Sequence, residues 1–201
     1  MPGQPPSIRF FHLPVLFGIL MTGCGIFEPR TPEDPTQSGL DFRPPTTPEI
    51  VIQNLTSAVD QKNAANYIAC FADPTKTGRT FVFIAAPEAS AQYPGVFTQW
   101  SLSDENDYFQ NLVAKTSPTS YSNLLLTQKG PVIQTSDSMV VSYDYEIRFD
   151  HSDASFPKVA TGNLQFTIGV DKNNFWSVYR WYDFKTTGDV TWSTMKGKFS
   201  N

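Results

Sequence analysis

The segment that decides the fold is WSVYRWYD, residues 176–183, near the C-terminal end of the chain. Its aromatic residues and its valine favour a β-strand. Because alternate side chains of a strand point to the same face, Tyr179, Trp181 and Asp183 are expected on one face. Asp183 would then lie among aromatic rings, where burial raises the pKa of a carboxyl group. Asp183 is therefore the first acid to consider as a functional group.

Three more strands are predicted immediately before this segment. Together, the four strand-like segments are residues 121–129, 138–149, 159–170 and 174–186. Turns are expected between them at Gly130-Pro131, Asp150–Pro157 and Asp171–Asn174. One face of the second strand is apolar and consists of Met139, Val141, Tyr143, Tyr145, Ile147 and Phe149. Its other face includes Asp144 and Glu146, which are expected to face solvent, so the pattern predicts an antiparallel sheet with one buried face.

Helices are predicted before the sheet. Thr47-Pro48-Glu49 has the residues typical of a helix start, and the apolar residues that follow it lie on one helical face. A second helix is expected over residues 64–72. A strand follows at residues 80–85, and Ser101 with the acids after it begins a third helix.

This order of elements resembles that of the NTF2-like (SnoaL-like) family. Its fold is an α+β cone in which two N-terminal helices, a strand and a third helix precede a curved antiparallel four-stranded meander. The resemblance covers about residues 47–196 and is carried by YIACFAD at 67–73, WSLSDENDYFQNL at 100–112 and the closing strand at 176–183. The closing strand is similar to the family's W-x-I-x-x-W-x-D. The resemblance implies a pocket at the wide end of the cone. A cystatin-like sheet wrapped on one helix is the neighbouring alternative, but it lacks the paired opening helices.

The N-terminal segment, residues 1–23, has the features of a bacterial signal peptide. Residues 10–20, FFHLPVLFGIL, are apolar but too few to span a bilayer. The sequence LMTGC at 20–24 resembles a lipobox, in which the cysteine is acylated and becomes the new N-terminus. Met21 departs from the pattern, because leucine is usual there. Cys24 is the predicted site of lipidation and palmitate attachment, and an ordinary secretory signal or a free cysteine is the alternative.

Lipidation at Cys24 predicts a protein that is held at a bacterial membrane. Gly25 stands where an aspartate would indicate retention in the inner membrane, which predicts the outer membrane with the domain facing the periplasm. Residues 24–46 are rich in proline and predict an extended tether. The folded domain is therefore expected to comprise residues 47–201.

Charge and histidine content exclude several classes of function. The 15 basic and 19 acidic residues give a net charge of −4, which argues against a nucleic-acid partner. The chain has 2 histidines, of which His12 lies in the signal peptide, so a catalytic triad or a multi-histidine zinc site is not expected. His151 is interpreted as part of a solvated hairpin tip. A metal site formed by Asp150, His151 and Asp153 is the alternative, and no metal or cofactor is predicted.

The resemblance implies a fold that serves isomerases, dehydratases, cyclases, transport factors and non-catalytic binding modules. An isomerase or dehydratase would use Asp183 as its base, with Tyr179 or Tyr143 as proton donor. Alternatively, Asp183 is a carboxylate at the sheet edge, paired with Arg180 or Lys185. Eight aromatic residues could line an apolar cavity or form plain core: Tyr67, Phe71, Phe83, Tyr108, Tyr143, Trp176, Tyr179 and Trp181.

The favoured hypothesis is a lipid-anchored, non-catalytic binding or assembly module, because catalytic groups are few. A carrier of an apolar small molecule and an enzyme using Asp183 are the alternatives. The membrane is one expected partner. Another is a protein or a second copy, since the resemblance implies pairing through the open face of the sheet. The tail at residues 192–199 is expected to fold back on the sheet, with a partner contact as the alternative.

Overall fold

The computed structural model describes residue 3, residues 42–188 and residues 190–200. The predicted lipidation site Cys24, the signal peptide apart from residue 3, and the tether up to residue 41 lie outside the described residues. The elements are α1 (Pro48–Asp60), α2 (Ala64–Ile68), α3 (Pro74–Thr77), β1 (Val82–Ile84), α4 (Pro87–Gln92), α5 (Leu102–Ala114), β2 (Ser122–Gln134), β3 (Ser138–Phe149), β4 (Val159–Val170), β5 (Trp176–Phe184) and α6 (Trp192–Phe199). Within the described part of the chain, no helix combines the length and hydropathy needed to cross a bilayer.

The strands form one sheet in the order β1-β5-β4-β3-β2, in which β2 to β5 are antiparallel neighbours and β1 pairs in parallel with β5. The predicted four-stranded antiparallel meander is confirmed, and β1 extends it to five strands. Register aligns Phe83, Trp181, Phe166 and Val141 in one row across four strands. All four are buried, so this row forms part of the inner face against which the helices pack.

The turn predicted at Gly130-Pro131 is wrong. β2 continues to Gln134, with a register shift between Lys129 and Ile133, and the chain reverses at residues 135–137. Gly130 has φ 73°, which fits the left-handed residue of a bulge as well as that of a turn. Pro131 is tolerated because β2 is an edge strand, where one missing N–H donor need not interrupt the sheet.

The helices begin where their caps predict. The Thr47 hydroxyl accepts from the Ile50 amide at the start of α1, and Ser101 and Asp104 form a capping box at α5. The second helix ends at Ile68 rather than residue 72, because the chain then pairs with β5. The Val178 amide donates to the Cys70 carbonyl oxygen, and the Ala72 amide donates to that of Val178, both at 2.9 Å.

The C-terminal tail folds back against the domain, as expected, and it does so as a helix. Trp192, Met195 and Phe199 of α6 are buried, and so is Lys196. α6 contacts α4, α5 and β4, which places it over the inner face of the sheet. This helix therefore covers part of the inner face of the sheet.

Candidate functional site

Asp183 lies inside the domain near the end of β5, with 1% of its surface exposed. One carboxylate oxygen accepts from the Tyr145 hydroxyl at 2.7 Å, and the other accepts from the Ser193 amide at 2.7 Å and from the Ser193 hydroxyl. Burial raises the pKa of this carboxyl group, while the hydrogen bonds from Ser193 and Tyr145 and the charge of Lys196 oppose the rise. Asp183 is thus beside aromatic rings as predicted, and the alternative of an edge carboxylate is wrong.

The hydrogen bonds of Asp183 hold the first turn of α6. The Trp192 amide donates to the Tyr145 hydroxyl oxygen at 2.7 Å, and the Thr194 amide donates to the Thr191 hydroxyl at 3.1 Å. With Ser193 bound to Asp183, three successive amides at the start of α6 have side-chain acceptors. Those amides would otherwise be unsatisfied. Asp183 and Tyr145 therefore anchor α6 to the sheet.

The two tyrosines predicted as proton donors are not hydrogen-bonded to Asp183. β5 has a register shift where Thr167 pairs with Arg180 and Ile168 pairs with Val178, so Tyr179 is the extra residue of a bulge. The Arg79 guanidinium lies over the Tyr179 ring, with Cζ of Arg79 4.8 Å from the centroid of that ring. Tyr143 is half-buried, and its ring centroid is 6.5 Å from that of Phe166. The bulge explains why strand alternation did not predict the position of Tyr179.

A second buried cluster surrounds Lys196, whose side chain has no exposed surface. Its ammonium forms an ion pair with Glu105, which is equally buried. Glu105 also accepts from the Tyr67 hydroxyl at 2.6 Å and from the Trp100 indole N–H at 2.8 Å. Burial lowers the pKa of Lys196 to about 8, against the opposing effects of Glu105 and Asp183. The carboxylate and the ammonium thus neutralise one another inside the domain.

Aromatic rings enclose the Lys196 ammonium. Its nitrogen lies 3.7 Å from the ring centroid of Trp181, 3.9 Å from that of Phe83, 5.4 Å from that of Tyr108 and 5.6 Å from that of Trp100. Distances below about 6 Å between a cation and a ring centroid are attractive. Three of these rings, those of Phe83, Tyr108 and Trp181, belong to the aromatic set that was predicted to line a cavity or form core, and they surround an ammonium from the chain itself.

Sequence reasoning missed both charged residues of this cluster, although a helical pattern marks them. Trp192, Met195, Lys196 and Phe199 follow the spacing i, i+3, i+4, i+7, and so do Glu105, Tyr108, Phe109 and Leu112. That spacing places the lysine and the glutamate on the apolar faces of α6 and α5. A charge on the apolar face of each helix, with opposite sign, predicts a buried ion pair.

Most of the eight predicted aromatic residues belong to the core. Tyr67 stacks on Phe109 with ring centroids 3.8 Å apart, and Trp181 contacts Phe83 edge-on at 5.1 Å and Trp192 at 4.6 Å. Tyr67, Tyr108 and Trp181 are fully buried. This packing supports the interpretation of plain core for these positions.

A separate cavity of about 510 Å³ opens between α2, α3 and the turn that joins β4 to β5. Its lining includes Ile68, Phe71, Leu102, Phe175, Trp176 and Ser177. Phe71 and Trp176 are the members of the predicted aromatic set that line it. Within residues 42–188 and 190–200, the buried Ser177 hydroxyl has no hydrogen-bond partner. The lining also includes Asp73, Lys76 and Asp171, so the cavity combines an apolar part, which could take a small apolar molecule, with charged groups.

His151 is buried, so its interpretation as part of a solvated hairpin tip is wrong. Its ring lies 5.1 Å from that of Phe199 and 6.0 Å from that of Phe156, and its Nε2 is 3.2 Å from the Pro157 carbonyl oxygen. Asp153 instead pairs with Lys198 at 3.1 Å. In the described ranges, no three His, Cys, Asp or Glu side chains are grouped as metal ligands.

Solved structures match the fold of this chain. No protein-family model and no curated protein matches its sequence. One match is an NTF2-like superfamily protein from Salmonella enterica, with TM-score 0.51, 15% identity and coverage of 69% of this chain and 89% of that one. The fold is NTF2-like. A conserved protein from Planctomyces limnophilus matches with TM-score 0.51 and 10% identity, covering 68% of this chain and 91% of that one.

A third match is a candidate aromatic ring hydroxylase from Novosphingobium aromaticivorans, with TM-score 0.51 and 15% identity. It covers 70% of this chain and 87% of that one. At these identities the likeness is one of fold, and a function cannot be carried over with it. The NTF2-like assignment therefore confirms the architecture expected from the closing strand.

Proposed function

We propose that this protein is a membrane-anchored lipoprotein whose NTF2-like domain is a non-catalytic binding or assembly module. The observation that supports this most directly is that the charged groups inside the domain are buried and bonded to one another. Asp183, Glu105 and Lys196 are each at most 1% exposed, and each is bonded to other groups of the same chain. A general acid or base must reach a substrate proton within hydrogen-bond distance. Asp183 and Glu105 instead bind groups of α6, and Lys196 is itself a residue of α6.

The membrane anchor rests on the N-terminal sequence. The lipobox-like LMTGC ends at Cys24, and Gly25 favours the outer membrane with the domain on the periplasmic side. More than one acyl chain at Cys24 is needed for stable anchoring, because a single chain binds membranes only marginally. A domain of net negative charge on this anchor fits contacts with proteins rather than with nucleic acid.

The outer face of the sheet is the surface that we propose for assembly, with a second copy of the chain as the partner. Three large apolar side chains on this face, those of Leu125, Ile133 and Phe184, are 60%, 63% and 45% exposed. Between them, Lys129 pairs with Asp144 at 3.2 Å. Because this face carries both apolar groups and internally paired charges, two copies can meet without repulsion between like charges. The NTF2-like resemblance also favours pairing through this face.

The test is the mass of the full-length protein in detergent, measured by native mass spectrometry and by sedimentation. We expect a dimer for the wild type and a monomer for Ile133→Lys. Phe175→Lys is the matched control, because Phe175 is 44% exposed but lies in the turn between β4 and β5. A monomeric wild type, or a dimer that Ile133→Lys leaves intact, would contradict the proposal.

A carrier of an apolar small molecule is the second candidate, and the cavity of about 510 Å³ beside Trp176 favours it. The same mass spectra of protein from its own host test this idea. A stoichiometric small-molecule adduct that is lost in Trp176→Ala would favour the carrier. A bare mass would favour the assembly module.

A further inference from the structure

We propose that the interior of the domain contains a binding site for a primary alkylammonium ion, and that Lys196 occupies this site from within the same chain. The site, termed the ammonium cage, consists of Glu105 and the rings of Phe83, Trp100, Tyr108 and Trp181. It is distinct from the outer face of the sheet, so it goes beyond the proposed assembly function and does not depend on it.

The ammonium cage has the chemistry of sites that bind organic cations. Two rings, those of Trp181 and Phe83, lie within 4 Å of the Lys196 nitrogen, and Glu105 supplies the opposite charge. Cation–π attraction is strongest where the cation is removed from water. The Lys196 side chain has no exposed surface, so the cage provides this condition. A neutral ligand would leave Glu105 buried without a counterion, which is costly.

The walls of the ammonium cage come from other elements than the helix that fills it, although Trp181 and Tyr108 also contact Trp192 of that helix. Phe83 belongs to β1, Glu105 and Tyr108 to α5, and Trp181 to β5. Tyr67 and Trp100 fix the Glu105 carboxylate by hydrogen bonds at 2.6 and 2.8 Å. Lys196 is 91 residues from Glu105 in sequence and comes from the last helix. The structure thus has the form of a receptor with a tethered ligand.

The covalent connection of Lys196 to the rest of the domain determines when another ion can enter the ammonium cage. An intramolecular ligand competes with an external one at an effective concentration that for short flexible linkers is on the order of millimolar. Residues 185–191 connect β5 to α6, and the bonds of Asp183 and Tyr145 to the first turn of α6 add to its retention. An external alkylammonium must therefore displace the Lys196 side chain, or the whole of α6, to bind.

The first experiment removes the resident ammonium in the full-length protein. In Lys196→Ala, the probe is n-propylammonium, whose three carbons match the part of the lysine stem beyond Cβ, which alanine keeps. We expect it to raise Tm and to bind about tenfold more tightly than 1-propanol, measured by calorimetry. The control Lys196→Met keeps the cage filled, so it should bind neither probe. Equal binding of the two probes to Lys196→Ala, or binding of neither to the folded variant, would overturn the proposal.

The second experiment uses the wild-type protein and does not depend on the folding of a variant. Amide hydrogen exchange is followed in n-butylammonium chloride and in sodium chloride at the same concentration. We expect exchange of residues 192–199 to accelerate severalfold with the amine alone, while exchange in β3 stays constant. Exchange that is identical in the two salts would show that Lys196 is a fixed core residue, and the proposal would be rejected.

Discussion

The backbone amide of Ser193 donates a 2.7 Å hydrogen bond to the carboxylate of Asp183. This bond joins the last strand of the sheet to the first turn of the last helix. The amino end of a helix carries partial positive charge, so a carboxylate there stabilises the helix. The acid that strand alternation marks as a catalytic candidate therefore has a structural partner at each of its two oxygens.

Asp183→Asn should destabilise the protein without removing an activity. An amide group can still accept from Tyr145, but its nitrogen cannot accept from the Ser193 amide, which is then left buried without an acceptor. The expected loss in the free energy of unfolding is about 2 kcal/mol. Chemical denaturation measures it, and Asp144→Asn is the control because Asp144 is exposed on the outer face. An unchanged denaturation midpoint for Asp183→Asn would contradict the anchoring role.

Patterns of period two and of helical period predicted most of the elements, because one buried face dominates each of them. The errors in the predicted strands arise where one extra residue interrupts the alternation of side chains. The bulge at Tyr179 moves that side chain away from Asp183, and Gly130 forms a bulge where a turn was expected. The short helices α3 and α4 have 4 and 6 residues, fewer than two helical turns of pattern, and were not predicted.

The site was harder to predict than the fold. Asp183 was found because it lies in an aromatic strand, and its burial followed from that position. Glu105 and Lys196 were not found, because Glu105 was interpreted only as an acid of the first helical turn and Lys196 only as part of the C-terminal tail. Their burial depends on a contact across 91 residues, which a pattern within one helix does not contain. Only the two helical patterns taken together, with their charges of opposite sign, indicate the pair.

Cys24→Ser should release the protein from the membrane. The lipobox-like sequence predicts acyl chains on this cysteine, and the substitution removes the thiol to which they would attach. Partition into a detergent phase and the mass of the N-terminal peptide measure the effect. Cys70→Ser is the control, because Cys70 is buried and its thiol donates to the Asn66 carbonyl oxygen at 3.3 Å. A Cys24→Ser protein that stays in the detergent phase would contradict the anchor.

The stability of the wild type should rise with pH between about 8 and 9.5 relative to that of Lys196→Met. Burial lowers the pKa of Lys196 from 10.5 to about 8. In that range the unfolded state binds more protons than the native state, so the free energy of unfolding increases with pH, by up to about 1.4 kcal/mol per unit. Urea denaturation at several pH values measures the difference between the two proteins. A difference independent of pH would contradict the lowered pKa of Lys196 in the native state.

Gly197→Ala should loosen the attachment of α6 to the rest of the domain. In an isolated helix this substitution is stabilising by about 1 kcal/mol, because alanine loses less backbone entropy. Here a Cβ atom at residue 197 would lie 2.6 Å from Cγ of the Tyr93 ring, which follows α4. The ring or the helix must move to relieve this overlap, and overpacking of this kind costs about 1–3 kcal/mol.

The sign of the effect therefore distinguishes a packed helix from a detached one. If α6 is packed as described, Gly197→Ala lowers the free energy of unfolding and speeds hydrogen exchange across residues 192–199. The double variant Gly197→Ala with Tyr93→Ala removes the overlapping ring, so it should recover the part of the loss that comes from overlap. Tyr93→Ala alone is the reference for the lost ring contacts. A stabilising effect of Gly197→Ala in the wild type would mean that α6 does not rest on Tyr93. The proposal of a non-catalytic function would then be weakened, because it depends on α6 covering the interior of the domain.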